Sequence, residues 1–472
     1  MARTIDDLPG PPGLPLLGNA HQLARASRLH TVCERWADRY GPILRVDIGR
    51  RRIVGISDAD AVNMILRERP EGFRRWSEQQ VVFDEMGLSG VFTAEGEQWK
   101  RQRRLVITAL NTNHLHRYYE VIRTSAERLY RRLSEAAQEG RVLEIGQEFT
   151  SYSLDITSAL AFGHDLNTLE RREGELQEHI QRAFGMLVRR IAAPFPYWRR
   201  IKLPADRALD RSLAELHRAT EQFIEQARQR MRERPELREA PENFLESMIS
   251  AQENDGTFTD SEIIGNTLIL LFAGEDTTAH TLGWTIWLLA THPDVQAQLA
   301  AEASQALEED PFPNDYEVIG GLDYTDAVLR ESLRVKGVTP LITAEPLADT
   351  TICDTHIPAG TQLLMLLRYP NLGDGFDPGR LLRSDESSAP KVLTFGAGPR
   401  FCPGRNLAFL EAKSALAMIA RNFHIELDST AGPVSEYYNF VTIPKGLRIK
   451  ITQRVASVPV PAQAEAFAPS ES

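Results

Sequence analysis

Long parts of the chain repeat apolar residues at every third and fourth position, which places them on one face of a helix. The repeat is clearest at residues 119–137, 211–233 and 261–291, where Leu, Ala, Glu and Arg are frequent. These residue types have a high intrinsic helix propensity. The pattern therefore predicts three long helices in the middle of the chain.

Signals for strands are fewer and shorter. Residues 43–56 have the composition of a β-hairpin with a turn at residues 49–51, and short apolar runs occur at residues 361–367 and 447–451. Together with the helical pattern, these signals predict a mainly α fold with a minor β-sheet region.

Length and composition favour a single domain. The 472 residues contain no evident repeat and no internal linker rich in Pro, Gly or Ser. We expect one domain over residues 1–455, with a Pro-rich N-terminal segment at residues 8–18. Residues 456–472 are rich in Ala, Pro, Ser and Glu and are expected to form a disordered tail.

The composition is that of a globular protein with a large core, since 42% of the residues are hydrophobic and 25% are charged. Lys and Arg number 54 against 65 Asp and Glu, so the net charge is -11 and the basic excess typical of nucleic-acid binding is missing. The first eight residues contain no apolar stretch long enough for a signal peptide or membrane anchor. We therefore expect a cytoplasmic protein that binds no nucleic acid and has no stable membrane anchor.

Cys402 has a sequence context that indicates chemistry. It lies in residues 395–404, FGAGPRFCPG, directly before a helical pattern at residues 405–419. Backbone N–H groups at a helix N-terminus favour the thiolate, the form that binds metals. A single thiolate cannot complete a zinc site, whereas an axial haem position needs one soft ligand. The alternative is an inert core cysteine, and this is our interpretation of Cys33 and Cys353.

A second candidate site lies in the most apolar run of the chain, residues 269–290. Two acids and two hydroxyl groups, in the sequence AGEDTT at residues 273–278, interrupt a stretch that is about long enough to cross a bilayer. We interpret the run as a buried helix. Burying such groups is costly unless they are partnered or functional. They fit either a kinked helix whose hydroxyl groups bond to its own carbonyls or a path for protons.

The loop at residues 395–404 resembles the haem-binding loop of the cytochromes P450, and other motifs of that family follow in the expected order between about residue 8 and residue 451. The matching loop positions are Phe395, Gly396, Gly398, Arg400, Cys402 and Gly404. The resemblance implies the cytochrome P450 fold, haem b (iron protoporphyrin IX) as the cofactor, and Cys402 as the axial ligand of the haem iron.

The resemblance also implies roles for residues outside the loop. Thr277 would bind dioxygen and Asp276 would relay protons, whereas Glu275 occupies a variable position and is expected at the surface or in a salt bridge. For Trp99 and Arg103 a solvated basic helix face is the alternative to haem contact. The full set of residues expected to contact the haem is Trp99, Arg103, Ala273, Phe395, Gly396, Arg400 and Gly404.

Three further charged residues resemble a buried ionic triad of the family. Glu331 and Arg334 are three positions apart on a predicted helix, and Arg380 follows in the sequence FDPGR. A pair at this spacing is common and weak when exposed. The resemblance implies instead that Glu331, Arg334 and Arg380 stabilise the fold and retain the haem.

The chain departs from the family pattern in two places. Ala344 occupies a position that usually carries an arginine in contact with a haem propionate, so one propionate is expected to be held differently. Residues 367–376 are shorter than usual and lack the common motif of that segment, so the local geometry is expected to differ.

The substrate cavity is expected to be apolar and to favour a lipophilic small molecule of the kind found in secondary metabolism. Residues 74–91 and 192–203 are the expected access regions. Within the second, residues 194–201, PFPYWRRI, fit a lid, a membrane-surface contact, a site for an anionic substrate or an ordinary packed loop. By family position the lining residues are Ile269, Phe272, Val338, Leu341 and Val441.

These features predict a soluble, bacterial-type cytochrome P450 monooxygenase. Electrons from NAD(P)H would arrive through a ferredoxin and ferredoxin reductase, or a flavodoxin-type donor, at a positive face that includes Lys100, Arg101 and Arg104. O2 would be the second substrate. The alternatives are a peroxide-using or oxygen-independent cytochrome P450, such as an isomerase or dehydratase, and a haem carrier or sensor without turnover.

Overall fold

The structure is a computed structural model, which describes residues 3–23, 28–49, 51–171, 175–193, 195–256, 258–373, 375–383 and 392–454. The predicted tail at residues 456–472 lies outside the described residues, as does Pro194 of the segment at residues 194–201.

Helices form most of the described chain. They are α1 Ala20–Leu23, α2 Leu29–Tyr40, α3 Ala59–Arg67, α4 Ser77–Glu85, α5 Gly96–Ala109, α6 Thr112–Glu139, α7 Ile145–Phe162, α8 Thr168–Arg171, α9 Glu175–Ala192, α10 Pro204–Glu233, α11 Phe244–Asp255, α12 Asp260–Thr291, α13 Pro293–Leu307, α14 Tyr316–Gly320, α15 Asp323–Lys336, α16 Gly379–Arg383 and α17 Arg405–Asn422.

The strands are short. They are β1 Ile43–Ile48, β2 Arg51–Ile56, β3 Phe73–Arg74, β4 Leu341–Pro346, β5 Thr350–Ile352, β6 Thr355–Ile357, β7 Gln362–Leu366, β8 Phe423–Leu427, β9 Ser435–Asn439, β10 Val441–Lys445 and β11 Ile449–Gln453. The mainly α fold with a minor β-sheet region is therefore confirmed.

The three long helices predicted from periodicity are α6, α10 and α12, and local signals set several of their ends. The Asn111 side chain accepts a hydrogen bond from the backbone N–H of His114 at 2.9 Å, which caps the start of α6. That helix ends at Gly140, whose φ of 63° is the left-handed conformation that favours glycine. Thr259 and Glu262 form a reciprocal capping box at the start of α12.

The largest sheet has the strand order β1-β2-β7-β4-β3. Strands β1 and β2 pair antiparallel from Ile43↔Ile56 to Ile48↔Arg51, which confirms the predicted hairpin. Strand β7 joins β2 in parallel and β4 in antiparallel register. The short strand β3 continues the sheet beyond β4, so the chain after α3 lies directly against β4.

Helix α12 runs through the core and packs on α7, α10, α15 and α17. Its side chains are buried on several faces, as shown by Leu268, Ala279, Leu282 and Ile286, each with 0% exposure. A helix that is apolar on all sides is expected in the interior of a large protein. The prediction of a buried helix at residues 269–290 is confirmed. In the described ranges, none of the helices has the combination of length and apolarity that crossing a bilayer requires.

Candidate active site

A cavity of about 970 Å³ lies beside α12 and is closed by α5, the loop before α17, and strands β4 and β10. Residues from distant parts of the chain meet there. The predicted site residues that line it are Trp99, Arg103, Ile269, Phe272, Ala273, Asp276, Thr277, Val338, Leu341, Phe395, Gly396, Arg400, Cys402, Gly404 and Val441. The fold therefore brings the cysteine loop, the AGEDTT sequence and the apolar residues to one space.

The cysteine loop is held in shape by one backbone hydrogen bond and by two glycines. The N–H of Cys402 donates to the carbonyl oxygen of Phe395 at 2.8 Å. Gly396 and Gly398 have φ values of 73° and 66°, in the left-handed region. A Cβ atom on Gly398 would also lie 2.6 Å from the Cα atom of Arg67. Larger residues are therefore excluded at position 398.

The surroundings of the Cys402 thiol do not favour the thiolate by themselves. Burial raises the pKa of Cys402 above its ordinary value, although hydrogen bonds from the backbone N–H groups of Gly404 and Arg405 and the charge of Arg103 act in the opposite direction. The predicted effect of the backbone N–H groups at the helix N-terminus is present, since they lower the pKa of Cys402, but burial acts more strongly. Removal of bulk water from the sulfur outweighs the local dipoles, so a thiolate needs an added positive charge such as a metal ion.

The hydroxyl group of Thr277 is anchored to its own helix. Its Oγ1 donates to the carbonyl oxygen of Ala273 at 2.7 Å, which is the back-bonding expected for one of the two interpretations of AGEDTT. A hydroxyl that donates once can still accept hydrogen bonds. Because Thr277 and Ala273 both line the cavity, the anchored hydroxyl is also available to a bound group.

Asp276 is a buried acid with a neutral neighbour. Burial raises the pKa of Asp276 to about 6. One oxygen of its carboxylate lies 3.7 Å from Nε2 of His280, one helical turn later. Burial lowers the pKa of His280 to about 4, so this histidine is neutral near pH 7. Asp276 can therefore exchange a proton near neutral pH without a fixed counter-charge from His280.

The buried position of Glu275 differs from the one expected from the sequence. It is 0% exposed, and neither oxygen of its carboxyl group has a hydrogen-bond partner in the described part of the chain. Burial, followed by the charge of Asp276, raises its pKa well above the ordinary value for a glutamic acid. The expectation of a surface position or salt bridge was wrong because other helices cover α12 at this point too.

Trp99 and Arg103 face the interior. Each is 6% exposed, so the alternative of a solvated basic helix face is wrong for these two residues. A terminal nitrogen of Arg103 donates to the carbonyl oxygen of Phe401 at 2.5 Å. The guanidinium carbon of Arg400 lies 4.6 Å from the centre of a Trp99 ring, and Arg400 also forms an ion pair with Glu95. Two cations from separate elements therefore meet at the cavity.

Two further cations line the same cavity and were missed in the sequence. Arg69 is 1% exposed, and burial together with the charge of Arg400 lowers its pKa to about 10. The Nε of Arg75 donates to the carbonyl oxygen of Phe92 at 2.7 Å, and its guanidinium carbon lies 3.6 Å from the centre of the Phe92 ring. Neither residue belongs to a motif with recognisable spacing, so only the tertiary structure reveals them.

The charges of the proposed triad lie close together in the structure. Glu331 accepts hydrogen bonds of 2.8 and 2.7 Å from Arg334, and both side chains are at most 2% exposed. The Nε of Arg380 lies 3.9 Å from the Glu331 carboxylate. Arg334 also donates to the carbonyl oxygens of Asn371 and Gly375, at 2.5 and 2.7 Å. The pair therefore anchors the segment at residues 367–376, which departs from the family motif.

Replacement of Glu331 by Gln is expected to destabilise the protein by about 3–5 kcal/mol, because the substitution leaves the buried Arg334 without its counter-charge. Urea unfolding followed by circular dichroism measures the change. Glu97→Gln is a matched control, since Glu97 pairs with Lys100 at the same three-residue spacing but is 88% exposed. The control should remain close to wild type. Equal unfolding midpoints for Glu331→Gln and wild type would contradict the structural role of the triad.

The chain is similar to known proteins over most of its length. A family profile described as Cytochrome P450 matches residues 8–451. Human cytochrome P450 3A5 is 28% identical over 441 residues, covering 88% of this chain and 85% of the relative. Mouse 25-hydroxyvitamin D-1 alpha hydroxylase, a protein described as mitochondrial, is 29% identical over 470 residues, covering 94% and 91%. The match thus includes every residue of the candidate site.

Proposed function

Because the chain belongs to the cytochrome P450 family, and is a monooxygenase with haem b as its cofactor, we propose that it hydroxylates or epoxidises a lipophilic small molecule in the cavity beside Cys402. One observation carries the proposal. The Cys402 side chain, the polar residues Asp276 and Thr277, and an apolar wall all line the same space. A metal ligand, a proton path and a binding surface for an apolar molecule are therefore adjacent.

The lining residues fit a haem. Cys402 offers one sulfur, and the positive iron would offset the burial that raises the pKa of the thiol. The Nε atoms of Arg103 and Arg400 are buried and have no hydrogen-bond partner within the described ranges, as expected of groups that bind propionate carboxylates. We assign Cys402 as the axial ligand and Trp99, Arg103 and Arg400 as propionate contacts. The residues assigned to the haem surface are Ala273, Phe395, Gly396 and Gly404.

When bound, the haem would supply the oxidising chemistry, in which two electrons and two protons are consumed, one atom of O2 enters the substrate and the other leaves as water. The protein's part is to deliver the protons. The Asp276 carboxyl, whose pKa is raised to about 6, takes up a proton near neutral pH and would release it into the cavity that it lines. The hydroxyl of Thr277, anchored to Ala273, lines the same cavity and can accept a hydrogen bond from a bound group. The apolar core around α12 excludes bulk water, so the side chains of Asp276 and Thr277 control the supply of protons to the cavity.

The apolar wall supports a lipophilic substrate. Ile269, Phe272, Val338, Leu341 and Val441 line the cavity, and each is at most 8% exposed. Aromatic rings extend this surface, since the rings of Phe184 and Phe272 are 4.9 Å apart and Phe440 lies 6.1 Å from Phe184. Burying apolar area is favourable by about 25 cal/mol per Å². One relative is described as a 25-hydroxyvitamin D-1 alpha hydroxylase, which supports hydroxylation as the reaction.

A titration with terpenoids, fatty acids and polyketides is expected to yield at least one compound that shifts the haem spin state, because an apolar molecule that fills the cavity displaces water from it. Optical difference spectra measure the shift. An analogue with the same carbon skeleton and an added sulfonate group serves as the control and should bind at least about tenfold more weakly, since burying a charge is costly. Preferential binding of the sulfonate would instead support an anionic substrate at residues 195–201.

We further propose that a separate, acidic electron donor such as a ferredoxin docks beside Cys402. Phe401 is 42% exposed there, and the nearby residues Arg104 and Arg405 are also exposed. Lys100 and Arg101, included in this positive face from the sequence, form ion pairs with Glu97 and Glu262 and add less free charge. Donor binding at such a surface should weaken as salt increases.

The decisive functional assay uses isotopically labelled O2 with NAD(P)H, a ferredoxin and its reductase. The proposal predicts one labelled oxygen atom in the product. Product formation with peroxide alone, or an isomerised or dehydrated product without label, would favour the alternative cytochrome P450 chemistries instead.

A further inference from the structure

Arg69 is a buried cation, and two of its guanidinium nitrogens have no hydrogen-bond partner in the part of the chain that the structure describes. Its side chain lines the cavity and is 1% exposed. Its Nε and Nη2 atoms are buried and have no hydrogen-bond partner among the described residues. Buried polar groups are almost always partnered, and an unpaired buried charge is especially costly. The arrangement therefore indicates that a bound group supplies the missing acceptors.

The geometry of the two unpartnered atoms indicates which kind of group this is. Nε and Nη2 lie on the same edge of the guanidinium plane. Together they form the two-pronged donor that matches the two oxygens of one carboxylate. A neutral acceptor such as a carbonyl oxygen could accept hydrogen bonds from these atoms but would leave the positive charge uncompensated. An anionic carboxylate satisfies both and neutralises the charge.

The charges around Arg69 strengthen the case for an anion. The guanidinium groups of Arg75, Arg103 and Arg400 line the same cavity. Glu95 forms an ion pair with Arg400 and also acts favourably on Arg69, and Glu71 acts favourably on Arg400, so two acids face these four cations. Arg400 repels the charge of Arg69. Binding of a dianion would offset this excess of positive charge, and haem b carries two propionates.

Arg69 lies between α3 and β3, and β3 pairs with strand β4. Arg74 of β3 pairs with Glu345, and the indole Nε1 of Trp76 donates to the carbonyl oxygen of Ala344 at 3.0 Å. Ala344 itself is 0% exposed and packs in an apolar cluster. Position 344 of strand β4 therefore provides no cation, whereas the neighbouring segment before β3 provides Arg69.

We propose that Arg69 binds a propionate of the haem through Nε and Nη2 and supplies the positive charge that position 344 lacks. The inference rests on the proposed placement of the haem beside Cys402. Arg69 acts as a positioning residue for the cofactor. It takes no part in the oxidation of the substrate.

The test compares haem retention in Arg69→Gln, Arg67→Gln and wild type. Loss of a charged hydrogen-bonded pair should speed haem transfer from the holoenzyme to excess apomyoglobin by about 10- to 100-fold in Arg69→Gln. Arg67 is the matched control because it is exposed, lies two residues away and contacts Asn63 at 3.3 Å. Its variant should release haem at the wild-type rate.

The haem reduction potential of Arg69→Gln should also become more negative, since a positive charge favours the reduced iron.

Haem dimethyl ester separates propionate binding from a general structural effect. If Arg69 binds a carboxylate, esterification should accelerate haem loss much more in wild type than in Arg69→Gln. Equal acceleration in both proteins, or equal rates of haem loss for Arg69→Gln and Arg67→Gln, would overturn the inference. If Arg69→Gln does not fold, the same comparison is made with Arg69→Lys, which keeps the charge but loses the two-pronged donor.

Failure of the inference can be distinguished from failure of the proposed haem site. If only the role of Arg69 is wrong, wild type and Arg69→Gln both show the spectrum of a thiolate-ligated haem and release haem equally fast. If the site beside Cys402 is wrong, the wild-type protein itself lacks that spectrum.

Discussion

Replacing Cys402 with serine is expected to lower monooxygenase turnover by roughly a thousandfold or more, because a hydroxyl group does not provide the electron-rich ligand that promotes O–O cleavage. The Cys402 sulfur lines the cavity at the end of a loop whose shape depends on Gly396 and Gly398. Serine preserves the size of the side chain, so the loss should come from the ligand atom and not from repacking. Product formation per haem, determined by mass spectrometry, measures the effect.

Cys353→Ser is the appropriate control. Cys353 lies in the turn between β5 and β6 and does not line the cavity. Its replacement should leave turnover and the haem spectrum unchanged. Wild-type turnover in Cys402→Ser would show that another residue holds the iron.

The second large effect is expected for Asp276→Asn, which should lower product formation by about 100-fold, since proton transfer by a positioned side chain typically contributes two or more orders of magnitude. The amide is similar in size to the carboxyl but does not exchange protons. Electron consumption should decrease less than product formation, because O2 can still be reduced to peroxide or water. Parallel assays of NAD(P)H use, peroxide and product measure the difference.

The pH dependence provides a more specific test of Asp276. Its carboxyl, with a pKa raised by burial to about 6, is protonated below that pH and ionised above it. Product formed per NAD(P)H should therefore decline as the pH rises through about 6 in wild type, and this step should be missing in Asp276→Asn. Burial lowers the pKa of His280 to about 4, so this histidine is neutral over the same pH range, and burial raises the pKa of Glu275 well above its ordinary value.

Asp260→Asn is the matched control on the same helix. Asp260 lies in the first turn of α12, where its exposed carboxylate pairs with Arg228. The control should keep the wild-type ratio of product to NAD(P)H and the same pH dependence. An unchanged ratio in Asp276→Asn would contradict the proposed proton path.

Local patterns predicted the elements that depend on local interactions. Helices α6 and α10 have long amphipathic repeats, and the β1–β2 hairpin alternates around a glycine turn, so neighbouring residues specify each of them. The cysteine loop was found for a similar reason, because its glycines are close together in the chain. These features could therefore be predicted without knowledge of the tertiary structure.

Features that depend on distant packing were not predictable in the same way. The burial of Glu275 depends on every helix that covers α12. The two nitrogens of Arg69 that lack a partner among the described residues become visible only when the chain after α3 is placed beside the cysteine loop. The pKa of Cys402 is raised because burial outweighs the backbone N–H groups, a balance that sequence spacing does not reveal. Sequence patterns identify chemical groups well, but their electrostatic state depends on the tertiary structure.

The central claim is that a thiolate from Cys402 binds the haem iron, and the visible spectrum of the reduced carbon monoxide complex tests it most directly. A thiolate ligand gives a strongly red-shifted Soret band, which the wild-type protein should show and Cys402→Ser should lose. A wild-type Soret band at the position found for histidine-ligated haem proteins would contradict the assignment.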